Sequence, residues 1–304
     1  MREIVEQLES LANSPGVTDI VIGPRGAWVC SVDGFRRVES WSFGETDHRV
    51  LARELIERGG RHIDVAMPFA DVRLVDGIRV HAVVTPVSVD GTNISIRIPM
   101  SETPTLESLI DRGMVSAELA TEMTRRVVSG RSLLVAGPTG SGKTTLVAAI
   151  LAKLPDESRI VTVEDVAELR IAHPHVVSLQ TRQANIENAG AVGLGQLVRE
   201  TLRMKPDRVV VGEIRGDEIS TVMMAHNSGH SGASTVHCGS WERLPVRLEA
   251  LGALAGMSAE SVATHAVTAF DDVYVLDSRE GIKRVVAHAR LLVSSRGRLH
   301  IERL

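Results

Sequence analysis

Eight consecutive residues near the middle of the chain, Gly137-Pro138-Thr139-Gly140-Ser141-Gly142-Lys143-Thr144, have the types and spacing needed to hold a run of phosphates, and Thr145 follows them. The pattern is G-x-x-x-x-G-K-T, a phosphate loop. Its glycines let successive backbone N–H groups converge on phosphate oxygens, and a helix that starts there adds its positive end. Lys143 is placed to reach the β- and γ-phosphates, and the Thr144 hydroxyl to bind Mg²⁺. A plain strand, turn and helix would also accept glycines. Here the apolar run Leu133-Leu134-Val135-Ala136 precedes the loop and Leu146-Val147-Ala148-Ala149-Ile150-Leu151 follows it, which is the setting a phosphate loop requires.

Phosphoryl transfer to water also needs a carboxylate for the metal and a group that places the water. Val161-Thr162-Val163 ends in Glu164-Asp165, and Arg208-Val209-Val210-Val211 ends in Gly212-Glu213. If both runs are strands of one parallel sheet, both acids lie on the edge where ligands gather. Strand ends are often polar for no other reason than that the chain exits there. Two such ends beside a phosphate loop favour Glu213 as a metal group, acting directly or through an intervening group, and Glu164 as the water activator. His237 closes a further strand, 234–236, on the same edge. There a neutral imidazole can contact the γ-phosphate or report its loss. His226 and His230 have i,i+4 spacing, but Ser228 and Gly229 interrupt the helix and no carboxylate completes a zinc set. His226 is expected to be a polar helix-end side chain. Arg203, Arg208 and Arg215 flank the Glu213 strand, and Arg79 and Arg97 lie on strands of the first hundred residues. Arginine neutralises phosphate bidentately, although a surface salt bridge is the ordinary role of any one of them.

From 106 onward, strands and helices alternate. Helices are expected at 117–128, 194–204 and 218–228, and strands at 132–136, 160–163, 209–211 and 234–236. A hairpin of 283–292 with 298–301 closes the chain, with Arg296-Gly297 near its turn. Alternation of this kind builds a mostly parallel α/β sheet covered on both faces. Residues 1–100 read differently. They give an amphipathic start at 4–11, strands at 19–22, 27–30, 78–84 and 94–98, a helix at 51–56, and hairpin turns at Asp33-Gly34 and Asp76-Gly77. A smaller α+β domain over 1–100, a polar linker over 101–105 and an ATPase domain over 106–304 are therefore expected.

The 304 residues allow about two domains. Hydrophobic residues make up 43% but aromatics only 3%, so the core is aliphatic, as a buried parallel sheet prefers. A net charge of −4 lacks the basic footprint of a general nucleic-acid binder. Two cysteines, Cys30 and Cys238, give neither a disulfide framework nor a zinc knuckle. No apolar run approaches a membrane span, and Met1-Arg2-Glu3-Ile4 does not open a signal peptide. A cytoplasmic protein is expected, with any membrane contact made through a partner.

Taken in order, these motifs resemble the secretion-superfamily ATPases, the motors of type II and type IV secretion and of type IV pili. The resemblance rests on the loop at 137–144 and an acidic box at Val161-Thr162-Val163-Glu164-Asp165-Val166-Ala167-Glu168-Leu169. It extends to Leu202-Arg203-Met204-Lys205-Pro206-Asp207, running into Val211-Gly212-Glu213-Ile214-Arg215-Gly216, and to a histidine box ending at His237. The segment from Asp76-Gly77-Ile78-Arg79 to Ser95-Ile96-Arg97 is similar to the family's N-terminal domain. The absence of a tetracysteine element points toward the tight-adherence (Flp) pilus and type IV secretion branch. Cys238-Gly239 stands where the family commonly has Ala-Asn.

The resemblance implies a RecA-like ATPase domain behind a PAS-like domain, assembled as a homo-hexamer that works on an inner-membrane platform protein. It implies ATP and Mg²⁺ as ligands, with Lys143 and Thr144 on the phosphates and metal and Glu213 as the acid of the second strand. Glu164 becomes the water activator, His237 the histidine-box residue, and Arg79 and Arg97 the arginines that meet the nucleotide. Two other readings compete. A RecA-like nucleic-acid translocase would need a basic and aromatic track that the composition lacks. A nucleotide-binding regulator with little turnover would keep the loop and lose the chemistry.

Overall fold

The structure, a computed structural model, describes residues 2–31, 34–74, 77–98, 104–182, 190–279 and 282–304. The chain divides into two compact units, Met1–Ser101 and Glu102–Leu304. The turn residues Asp33 and Asp76 and linker positions 101–103 lie outside the described residues.

The smaller unit is α+β. Helices α1 (Arg2–Ala12) and α2 (Glu45–Arg58) lie over an antiparallel sheet. Its strands are β1 (Asp19–Gly23), β2 (Gly26–Ser31), β3 (Gly34–Arg37), β4 (Phe69–Arg73), β5 (Arg79–Val83) and β6 (Asn93–Arg97), in the order β3-β2-β1-β6-β5-β4. Alternate residues Ile20, Ile22, Val29, Val80, Ala82, Ile94 and Ile96 point into one core with Ile4, Leu51 and Ile56 from the helices. Period-2 alternation makes most of these strands readable from sequence. β3 escapes such a reading because its four residues, Gly-Phe-Arg-Arg, are all exposed and carry no alternation.

The larger unit is α/β. Its strands are β7 (Leu133–Gly137), β8 (Ile160–Glu164), β9 (Val176–Gln180), β10 (Arg208–Ile214), β11 (Gly232–His237), β12 (Asp272–Arg279), β13 (Ile282–Val293) and β14 (Leu299–Arg303). They form one sheet in the order β14-β13-β12-β7-β11-β10-β8-β9. The six strands from β12 to β9 run parallel to their neighbours, and β13 and β14 add an antiparallel edge. One face carries α3 (Leu106–Asp111), α4 (Ala117–Val128) and α5 (Lys143–Leu151). The other carries α6 (Leu194–Thr201), α7 (Glu218–Asn227), α8 (Leu244–Leu254) and α9 (Ala259–Ala269).

Burial on both faces explains why β7 reads as an unbroken apolar run and β8 as one broken only by Thr162 before its terminal Glu164. Helix α4 starts where the Ser116 hydroxyl accepts from the Leu119 N–H, a cap worth about 1 kcal/mol. It buries Ala120, Met123 and Val127 at helical spacing. Helix α6 stops at Thr201, three residues before the expected end, and the chain then tightens into turns, Arg203 N–H bonding the Glu200 carbonyl and Met204 N–H the Thr201 carbonyl.

Candidate active site

The carboxyl ends of β7, β8, β10 and β11 lie on one edge of the sheet, since these strands are mutually parallel. The phosphate loop leaves β7 there. Gly142 is the N-cap of α5 at φ +90°, a left-handed conformation. A Cβ on Gly142 would stand 2.7 Å from Met114 Cε, a flexible side-chain end that can move aside, so it is the backbone conformation that favours glycine. Ser141 donates to the Pro138 carbonyl at 2.8 Å. The Lys143 ammonium curls back over the loop, donating to the carbonyls of Gly137 at 3.0 Å and Pro138 at 2.9 Å. Burial lowers the pKa of Lys143, and the charges of Glu213 and Glu168 oppose that shift. Thr144 and Thr145, half-buried, begin the first turn of α5.

Glu213 stands near the end of β10, where the β10–β11 register slips between Val211 and Ile214. It is partly exposed and accepts from Arg215 Nη2 at 2.6 Å. Arg215 also reaches Asp165 Oδ2 at 3.8 Å. The hydrogen bond to Glu213 raises the pKa of Arg215, with the charges of Asp165 and Glu168 in support. Thr144 and Glu213 offer hard oxygen donors of the kind Mg²⁺ takes, one or two side chains with substrate phosphates completing the shell. Among the described residues, no group of three His, Cys, Asp or Glu side chains could hold a metal ion. The fit is therefore to a shared, phosphate-dependent metal and not to an all-protein cage.

The acidic box places its two glutamates in different surroundings. Glu164 is 4% exposed. Its Oε1 accepts from the backbone N–H of Glu168 at 2.9 Å and of Leu169 at 3.1 Å. A Cβ at position 212 would lie 2.6 Å from Glu164 Cγ, so Gly212 makes the space for this carboxylate. Glu164 thus holds the loop that follows β8. The exposed carboxylate of that loop whose charge acts on both Lys143 and Arg215 is Glu168. Sequence reasoning passed over Glu168. The signal was its place four residues beyond Glu164, in a stretch with no helical or strand pattern.

His237 ends β11, exposed, paired in register with Gly137. Its Nδ1 lies 3.4 Å from Thr139 Oγ1, so it stands over the phosphate loop as expected. His226 lies in the last turn of α7, as the expectation of a polar helix-end side chain has it, but turns inward. It is buried, bonds the Ala269 carbonyl through Nδ1 at 3.2 Å and packs edge-on against Phe270. Arg203 makes only a surface pair with Glu200, and Arg208 bonds the carbonyls of Val127 and Asp207. In the smaller unit, Arg79 and Arg97 are direct cross-strand neighbours on β5 and β6.

A family profile described as type II/IV secretion system protein matches residues 46–276. A putative conjugal transfer protein of Mycobacterium tuberculosis is 39% identical over 301 residues, covering 96% of this chain and 85% of that protein. The type IV secretion system protein PtlH of Bordetella pertussis is 35% identical over 249 residues, covering 74% and 73%. Among solved structures, the VirB11 ATPase of the Brucella suis type IV secretion system aligns with TM-score 0.51 at 22% identity, covering 95% of this chain and 97% of that one. The pilus retraction motor PilT with bound ADP aligns with TM-score 0.65 at 21% identity, covering 98% and 82%. At these identities the structural likenesses establish the α/β fold alone.

Proposed function

This chain belongs to the type II/IV secretion system protein family, and on that premise we propose that it is an ATP-hydrolysing motor for protein secretion or pilus assembly. The observation that carries the reading is the shared edge. Lys143 on its loop, Glu213 at the end of β10 and His237 at the end of β11 converge where strands present their carboxyl ends. The loop amides and Lys143 bind the triphosphate, for which the ammonium must exchange the carbonyls of Gly137 and Pro138 for phosphate oxygens. Thr144 and Glu213 would hold Mg²⁺, which neutralises charge on the β- and γ-phosphates when bound.

We assign water activation to Glu168, with Glu164 as the positioning residue beneath it. Glu168, exposed like Asp165, is the acidic-box carboxylate whose charge acts on Lys143 as well as Arg215, whereas both backbone N–H bonds to Glu164 oppose its movement. His237, beside Thr139, senses the γ-phosphate. Arg79 and Arg97 carry the expected contact with nucleotide phosphates. The motor works as a homo-hexamer at the cytoplasmic side of an inner-membrane platform protein and binds no nucleic acid directly. Among the described residues no helix is long and apolar enough to cross a membrane.

The test is Lys143→Ala. It removes the cation nearest the transferring phosphate, so phosphate release is expected to fall below about 1% of the parental rate. Parental turnover in a folded variant refutes the assignment.

A further inference from the structure

Two strand ends and the start of a helix meet at Arg215. Its fork donates through Nη2 to Glu213 Oε2, near the end of β10, at 2.6 Å. Nη1 of the same fork stands 3.8 Å from Asp165 Oδ2, just past the end of β8. The backbone is held separately. The N–H groups of Arg215 and Gly216 donate to Glu218 Oε1, in the first turn of α7, at 2.5 and 2.9 Å. The side chain itself is 61% exposed. The charges that act on Lys143 are those of Glu213, Arg215 and Glu168, and those that act on Arg215 are Glu213, Asp165 and Glu168. Three carboxylates and two cations therefore form one electrostatic group at the edge where the phosphate loop leaves β7. Without Arg215, the three carboxylates would meet an incoming polyanion with Lys143 as the only cation of that group. Mg²⁺ carried on the phosphates screens such repulsion by its own charge. A metal-free triphosphate has no such screen.

We propose that Arg215 is the internal counter-ion of this edge, offsetting Glu213 and Asp165 so that the phosphate loop takes a nucleoside triphosphate before Mg²⁺ joins it. Arg215 acts through the two carboxylates and is a positioning residue. This role rests on the reading of Lys143 and Glu213 given above. It follows that the charge of Arg215 matters most while the metal is absent and least once the metal is bound.

The experiment is calorimetric titration of the 304-residue chain with ATPγS, once in EDTA and once in Mg²⁺. Arg215→Ala is expected to raise Kd in EDTA about fivefold to tenfold, the effect of one nearby unit charge at an exposed site, and Kd in Mg²⁺ less than about twofold. Arg215→Lys keeps the charge without the fork and should bind in EDTA within about twofold of the parent. If Arg215→Ala does not fold, Arg215→Gln, which keeps most of the stem, takes its place with the same expectation. Arg203→Ala serves as the control, because Arg203 pairs only with Glu200 on the surface, and it should change neither constant. Parental affinity of Arg215→Ala in EDTA overturns the proposal. Equal weakening in EDTA and Mg²⁺ that lysine does not restore also overturns it, since that is the mark of a purely structural residue. A parental chain that binds ATPγS only when Mg²⁺ is present overturns it as well. Parental affinity of Lys143→Ala under both conditions instead overturns the phosphate-loop reading on which the role rests.

Discussion

Exchanging Glu164 and Glu168 separately for glutamine divides holding a loop from activating a water. Glu164 is buried, and two backbone N–H groups converge on its carboxylate. Glutamine can keep its oxygen at the Oε1 place for both N–H groups, but the uncharged amide weakens both bonds and turns a donor toward the Leu169 N–H, which Oε2 also meets at 3.3 Å. That costs about 1–3 kcal/mol. For a unit the length of residues 102–304, such a loss lowers the melting temperature by roughly 3–10 °C. Glu168 is exposed, so Glu168→Gln should alter stability by no more than about 0.5 kcal/mol. Removing a proton acceptor from the reacting water, however, costs about 10²–10⁴ in kcat. Melting curves and steady-state phosphate release on the same preparations read both effects. Glu168→Gln should melt with the parent, keep its KM and lose at least about a hundredfold in kcat. Glu164→Gln should melt early and, assayed well below its transition, lose less. The reasoning is refuted if Glu168→Gln turns over at the parental rate. It is equally refuted if Glu164→Gln loses a hundredfold in kcat with an unshifted melt, which would return water activation to Glu164.

Two further predictions concern packing around the site and the response to acid. Gly212→Ala puts a Cβ 2.6 Å from Glu164 Cγ, so it should displace that carboxylate and reproduce both the early melt and the activity loss of Glu164→Gln; a parental melting curve would show that the pocket has room to give. Burial pushes the His226 pKa down to about 4 from its ordinary 6.5. The unfolded chain therefore takes up a proton that the folded one refuses, and this stability is intact above about pH 6.5 and lost as pH falls toward 4. At 1.36 kcal/mol per unit, about 2 kcal/mol is gone by pH 5. Burial lowers the His48 pKa in the same sense. Urea unfolding at pH 7.5 and pH 5 should show the loss, and His226→Gln should reduce it; identical pH dependence in the parent and variant would contradict the assignment.

The sequence made the larger unit's phosphate-loop edge legible because its signals are local. A phosphate loop is eight adjacent residues, and strands buried on both faces read as apolar runs whatever packs on them. What stayed hidden depends on neighbours that sequence order does not reveal. His226 looks like a polar side chain at a helix end, but Ala269 and Phe270, more than forty residues on, enclose it. β12 begins with Asp272, a residue that argues against a strand core. It is tolerated because Arg126 and His288, from α4 and β13, bond its buried carboxylate at 2.7 and 2.9 Å.

The division between Glu164 and Glu168 has the same origin. Both are acids in one short box, and nothing in their spacing says which is enclosed. Strand register decides it. Val163 pairs with Val211, so Glu164 falls beside Gly212, the one position of that strand end with no side chain to exclude it. A glycine before Glu213 therefore serves two acids at once. It opens the space that draws Glu164 inward, and it lies where the β10–β11 register slips and Glu213 is left partly exposed. With Glu164 drawn inward, its carboxylate fixes the backbone of Glu168, and the loop presents Glu168 outward on the side where charge is felt by Lys143 and Arg215. A buried acid that orders the backbone of an exposed one is a means of fixing where that exposed carboxylate stands without a rigid secondary element beneath it.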